Sequence, residues 1–115
     1  EHNLVRDCRY QNTGYNVGIW PFEAANTVIQ YNEAYDTHSV QDGQGLDCDH
    51  ASSNSVMQYN YSHNNEGGFM LIMGGYPHTG ATIRYNISQN DRDKAFEFAY
   101  LKVFSICPTQ APVWA

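Results

Sequence analysis

Asn60-Tyr61-Ser62-His63-Asn64 returns along the chain in altered form, and its return decides the fold. Asn32-Glu33-Ala34-Tyr35-Asp36 and Asn86-Ile87-Ser88-Gln89-Asn90 repeat the same order of Asn, any residue, a small residue, any residue, then Asn or Asp. Cys8-Arg9-Tyr10-Gln11-Asn12 reads as a degenerate first copy, so the starts at 8, 32, 60 and 86 lie 24, 28 and 26 residues apart. Three residues before each start stands Val5, Ile29, Met57 or Ile83, and Tyr31, Tyr59 or Tyr85 directly precedes each well-formed copy. Each copy is therefore expected to be a short strand running into a turn.

A second apolar stretch follows every turn: Gly18-Ile19-Trp20-Pro21-Phe22, Gly45-Leu46-Asp47-Cys48-Asp49, Gly68-Phe69-Met70-Leu71-Ile72 and Ala95-Phe96-Glu97-Phe98-Ala99. A period of roughly 26 residues is too short for a propeller blade, and the β-branched, aromatic and Asn/Gly content opposes a helical repeat. Stacked coils satisfy the pattern, because equivalent residues then lie above one another at about the 4.8 Å inter-strand spacing. At such a corner each Asn side chain bonds the next Asn and the turn backbone. The sequons Asn60-Tyr61-Ser62 and Asn86-Ile87-Ser88 fall in this inward column and are read as structural, not as glycosylation sites.

The reading is an all-β solenoid of about four coils, approximately 2–25, 26–53, 54–80 and 81–99, with a non-repeat tail over 100–115 placed to cap the open end. Coil stacks expose unpaired strand edges at both ends, so self-association through coil ends is expected.

Composition narrows the partners. The net charge is −6, and the six basic residues, Arg6, Arg9, Arg84, Arg92, Lys94 and Lys102, form no patch that would track a phosphate backbone. No apolar run reaches the ~18 to 20 residues of a membrane-spanning helix, and Glu1-His2-Asn3 lacks a signal layout. Neither nucleic acid nor membrane is therefore an expected partner. Cys8, Cys48 and Cys107 make no CxxC and are odd in number, which fits small buried hydrophobes better than a disulfide or zinc framework. His38, His50, His63 and His78 show no metal-ligand spacing.

Gly45 to Asp49, Gln58 to Phe69 and Arg84 to Asp91 resemble the right-handed parallel β-helix proteins of the pectate-lyase-like superfamily. The resemblance covers residues 26 to 99 well and the first coil loosely. It implies a right-handed parallel β-helix, a secreted bacterial origin, and a polysaccharide or oligosaccharide as ligand.

Along a strand, successive side chains point to opposite faces, so with Leu46 and Cys48 inward, Asp47 and Asp49 point outward. Aligning the second strands from their first residues gives one outward column of Trp20, Asp47, Met70 and Glu97, and another of Phe22, Asp49, Ile72 and Ala99. Aromatic rings beside carboxylates stack on sugars and handle glycosidic oxygens. Asp47, Asp49 and Glu97 are the candidate catalytic residues, and Trp20, Phe22, His50 and Arg84 the candidate substrate contacts. Two residues apart on one strand, Asp47 and Asp49 would stand about 6 to 7 Å apart, nearer the spacing of an inverting than of a retaining glycosidase. The same pair would serve calcium, as in the calcium-assisted lyases of the superfamily, with Arg84 or His50 as the base such a lyase needs. The competing reading is a non-catalytic scaffold or truncated product that self-associates, burying Trp20, Phe22, Met70 and Ile72 against a partner copy.

Overall fold

The computed structural model describes residues 1–8, 14–73, 79–92 and 99–103. Ten strands occur in these residues: Leu4–Arg6 (β1), Val28–Gln30 (β2), Glu33–Tyr35 (β3), Gln44–Cys48 (β4), Val56–Gln58 (β5), Tyr61–His63 (β6), Gly68–Met73 (β7), Thr82–Arg84 (β8), Ile87–Gln89 (β9) and Ala99–Val103 (β10). They form three sheets, ordered β1-β3-β6-β9, β2-β5-β8 and β4-β7-β10, in which every strand but β10 pairs in parallel with its equivalent in the next coil. The molecule is a parallel β-helix.

Most strands are three residues long because the corners between them recur in register. His2, Tyr31, Tyr59 and Tyr85 share one left-handed corner with φ of 57°, 55°, 55° and 55°. Asp7, Asp36, Asn64 and Asn90 share a second, and Asn26, Asn54 and Gly80 a third. Asn, Asp and Gly enter the left-handed region at little cost, which accounts for the Asn content. Tyr does not, and its strain of order 1 kcal/mol is offset by neighbours in the column. Ring stacking at 5.1 Å (Tyr31–Tyr59) and 5.2 Å (His2–Tyr31, Tyr59–Tyr85) supplies part of that offset.

The buried Asn column supplies the rest. Asn3 donates its main-chain N–H and Nδ2 to Asn32 Oδ1, both at 3.0 Å. Asn32 donates in the same way to Asn60 Oδ1 at 3.1 and 3.0 Å, and Asn60 to Asn86 Oδ1 at 2.9 and 3.0 Å. A second inward column runs Thr37, Asn65, Asp91. Thr37 N–H bonds Asn65 Oδ1, and Asp91 accepts from Asn65 and from the hydroxyls of Ser62 and Ser88. The sequon residues Asn60 and Asn86 are 2% and 0% exposed.

The first rung begins at Asn3, not at Cys8. Asn3-Leu4-Val5-Arg6-Asp7 carries Val where the other copies have Ala or Ser, which hid it in the pattern, and Val5 pairs with Ala34 instead of standing over Ile29. Ile29, Met57 and Ile83 do stack in register through β2, β5 and β8. The core is built from Ile29, Leu46, Cys48, Met57, Phe69 and Met70, with Ile19, Ile72 and Ile83 packed against it.

Two further expectations are corrected. β4 and β7 pair Gln44 with Gly68, Leu46 with Met70 and Asp47 with Leu71, one residue away from the alignment of Gly45 on Gly68. A Cβ on Gly45 would meet Ser62 Oγ and Asn65 Nδ2, so position 45 faces the interior as Leu46 does, and simple alternation fails there. The fourth rung of this sheet is not a parallel strand: β10 runs antiparallel to β7 with a bulge between Ala99 and Leu101. Residues 100–103 thus belong to the sheet, and the expected tail beyond them lies outside the described residues, as does the Ala95–Phe98 stretch.

Candidate functional site

Trp20, Phe22, Asp49, His50 and Asp47 are brought together where the first two coils meet. The bridge Ile19–Leu46 and the hydrogen bonds Asp47 N–H to Ile19 O (3.1 Å) and Asp49 N–H to Pro21 O (3.3 Å) hold the Trp20 segment beside β4. Pro21 is buried and accepts the Ser52 hydroxyl at 3.2 Å, while Trp20 and Phe22 on either side remain 44% and 54% exposed. Asp49 Oδ1 accepts the His50 N–H at 2.6 Å, with His50 Nε2 3.7 Å from the same oxygen. Phe22 meets the His50 ring edge-on at 6.3 Å, so one continuous surface runs Phe22, His50, Asp49.

Asp47 alternates away from Leu46 and Cys48, yet it is only 2% exposed, so the expectation of a solvated carboxylate fails. Its partner in β7, Leu71, is 1% exposed, which shows that this part of the sheet is covered. Burial, followed by the charges of Asp49 and Asp42, holds the Asp47 carboxyl well above the usual range. Asp42 was missed in the sequence. It is 5% exposed, and a turn aspartate beside glycine carries no signal that distinguishes it from a solvated loop residue. Gln44, at the start of β4, is completely buried. Its amide oxygen and nitrogen and Asp47 Oδ1 have no hydrogen-bond partner among the described residues.

Other assignments change. Arg84 lies on β8 in a different sheet, donating Nε to Gln58 Oε1 at 2.8 Å with its guanidinium 5.6 Å from the Tyr85 ring, so it is not part of this face. Met70 is 0% exposed and Ile72 packs on the core, which removes both from the apolar surface expected of a self-associating scaffold. Glu97 and His78 lie outside the described residues. Among the described residues no three His, Cys, Asp or Glu side chains converge closely enough to hold a metal ion. No helix of the described residues is long and apolar enough to cross a membrane.

Comparison with known proteins agrees with this architecture. A lacto-N-biosidase of Bifidobacterium longum subsp. longum is 42% identical over 84 residues, covering 70% of this chain and 5% of that protein's length. The chain therefore spans about 5% of the curated relative it matches. No solved structure matches it. The family described as right handed beta helix region matches residues 1–100, and with the coil-by-coil parallel pairing above, the chain belongs to the right-handed β-helix family.

Proposed function

We propose that the face formed by Trp20, Phe22, Asp49 and His50, with Asp47 and Gln44 behind it, binds an oligosaccharide and belongs to a glycoside-hydrolase site. One observation carries this reading: the Trp20 and Phe22 rings, 44% and 54% exposed, lie beside the Asp49–His50 pair on one surface. The exposed indole of Trp20, one rung away, offers the apolar surface a pyranose ring covers. The likeness to a lacto-N-biosidase supports the same ligand class.

In this reading Asp47 is the general acid, since its raised pKa keeps a proton available for the leaving oxygen, and Asp49 is the second carboxylate. Two residues apart, with Asp49 one residue past the end of β4, they stand roughly 6.6 Å apart along an extended chain, at the short end of the inverting range. His50, whose main-chain N–H bonds Asp49, and the Phe22 ring against it complete the sugar-facing surface. A scaffold reading is favoured by one observation, the near-complete burial of Asp47, 2% exposed, which keeps its carboxyl from a sugar on this face. A non-catalytic coil stack would still bind but not turn over.

The test is a thermal-shift and turnover screen of the purified chain against oligosaccharides. Stabilisation by one glycan class, lost in Trp20→Ala and in Phe22→Ala, is the expected outcome. Absence of any shift across the panel, with both variants folded, rejects the site. Binding without turnover, unaffected by Asp47→Asn, supports the scaffold.

A further inference from the structure

Two of the three left-handed corners are turned by Asn, Asp or Gly, which enter that region at little cost. The corner between β2 and β3, with its equivalents between β5 and β6 and between β8 and β9, is turned by Tyr31, Tyr59 and Tyr85. Ring stacking offsets the strain but does not call for tyrosine, since Asn turns the other corners without it. A strained residue kept at one position in successive coils points to a demand on its side chain. Tyr59 stacks on Tyr31 and on Tyr85, so both its faces are covered, yet Tyr31, Tyr59 and Tyr85 are 46%, 44% and 47% exposed. They therefore present ring edges and hydroxyls, and none of the three hydroxyls has a hydrogen-bond partner among the described residues. Beside them a groove of about 440 Å³ spans consecutive coils, with Tyr31 and Tyr59 on one wall, Glu33 and Tyr61 on the other and the buried Asn32 as its floor. Glu33 Oε1 is held 2.9 Å from His63 Nε2, and its second oxygen has no partner among the described residues.

We propose that this groove binds an uncharged, extended oligosaccharide, its sugars joined through equatorial bonds and lying along the coil axis. The tyrosines repeat once per rung at 5.1 and 5.2 Å, and one sugar of such a chain advances by nearly the same length. Successive sugars thus offer equivalent hydroxyls to successive tyrosines. A phenol hydroxyl both donates and accepts, as a sugar hydroxyl does, and Glu33 adds an acceptor. With the ring faces already occupied, recognition rests on hydrogen bonds and not on stacking. The Glu33 carboxylate and the net charge of −6 oppose a polyanionic chain of the same shape. The groove runs along the side of the stack, so it does not depend on which coil is outermost. It lies at a corner away from Trp20, which sits beside β4 in another sheet, and the inference stands or falls separately from the reading of that face.

The test is isothermal titration calorimetry of the full chain with cellohexaose and with its carboxylated form, which keeps the linkage and adds a charge to every sugar. Cellohexaose is expected to bind and the carboxylated form to bind more weakly, a difference that Glu33→Gln reduces. Tyr59→Phe keeps the stacked ring and removes only the hydroxyl. It is expected to weaken binding about five-fold, the equivalent of one net hydrogen bond, with an unchanged melting temperature. The triple variant with Phe at positions 31, 59 and 85 is expected to show no binding, and Tyr59→Phe alone decides the matter should the triple variant fail to fold. Trp20→Ala is expected to bind cellohexaose as the wild type does. No binding by the wild type, full binding by folded Phe variants, equal affinity for the carboxylated form, or loss of binding in Trp20→Ala would each overturn the inference.

Discussion

Replacing Asn60 by Ala removes four hydrogen bonds at a residue 2% exposed. Asn60 Oδ1 accepts from the Asn32 N–H and Nδ2 at 3.1 and 3.0 Å, and Asn60 Nδ2 donates to Ile29 O and to Asn86 Oδ1, both at 3.0 Å. At about 1 kcal/mol of net stability per bond the loss is about 4 kcal/mol. The buried main-chain groups of Asn32 and Ile29, left unpaired, keep the figure from being smaller. Against a total of about 5–15 kcal/mol for a domain, that is a large share of the stability. With a urea m-value of about 2 kcal/mol per molar, the unfolding midpoint is expected to fall by about 2 M while the slope is unchanged. Asn3→Ala is the internal comparison, since Asn3 is exposed and loses one side-chain bond, Nδ2 to Asn32 Oδ1. Its expected cost is about 1 kcal/mol or less. Equal midpoint shifts for the two variants would refute the argument that the buried column carries the corner.

Two more predictions concern the sheet under the candidate site. Asp47 has a folded-state pKa above its unfolded value, so the folded chain holds the proton more tightly and stability falls as pH rises from the ordinary Asp range through the raised pKa. Asp47→Asn is therefore expected to raise the melting temperature at neutral pH by roughly a few degrees and to flatten the pH profile; a lower melting temperature at neutral pH would contradict it. Asp91, whose pKa burial also raises against four hydrogen bonds, adds the same sign of pH dependence and should persist as the residual slope in that variant. Gly45→Ala forces a methyl group against Ser62 Oγ and, at 2.7 Å, Asn65 Nδ2, and is expected to cost about 1–3 kcal/mol in urea unfolding. A neutral result would mean that the Thr37–Asn65–Asp91 column yields there.

Some features needed no tertiary information. The period, the inward Asn32, Asn60 and Asn86, and the stacking of Ile29, Met57 and Ile83 are local patterns repeated in sequence. Stacked coils turn such a repeat directly into contacts between equivalent positions. The direction of Asp47, opposite to Leu46 and Cys48, follows likewise from strand alternation. The left-handed corner at Tyr31, Tyr59 and Tyr85 was not legible, because tyrosine is a strand residue by propensity and is held there by rings and amides from neighbouring coils.

Register, direction and burial were decided only in three dimensions. Gly45 faces Ser62 and Asn65 although its neighbour Leu46 faces the core too, and β4 pairs with β7 one residue away from the register the sequence alignment gives. No rule of alternation contains such a step. The antiparallel course of β10, the placement of Arg84 in a different sheet from the aspartates, and the near-complete burial of Asp47 all depend on which segments meet. The sequence determined how the chain coils and which residues share a column, because those follow from spacing along one strand of polypeptide. The tertiary structure decided which carboxylate is exposed and which keeps its proton, because solvation and charge at Asp47 are set by groups brought to it from other parts of the chain.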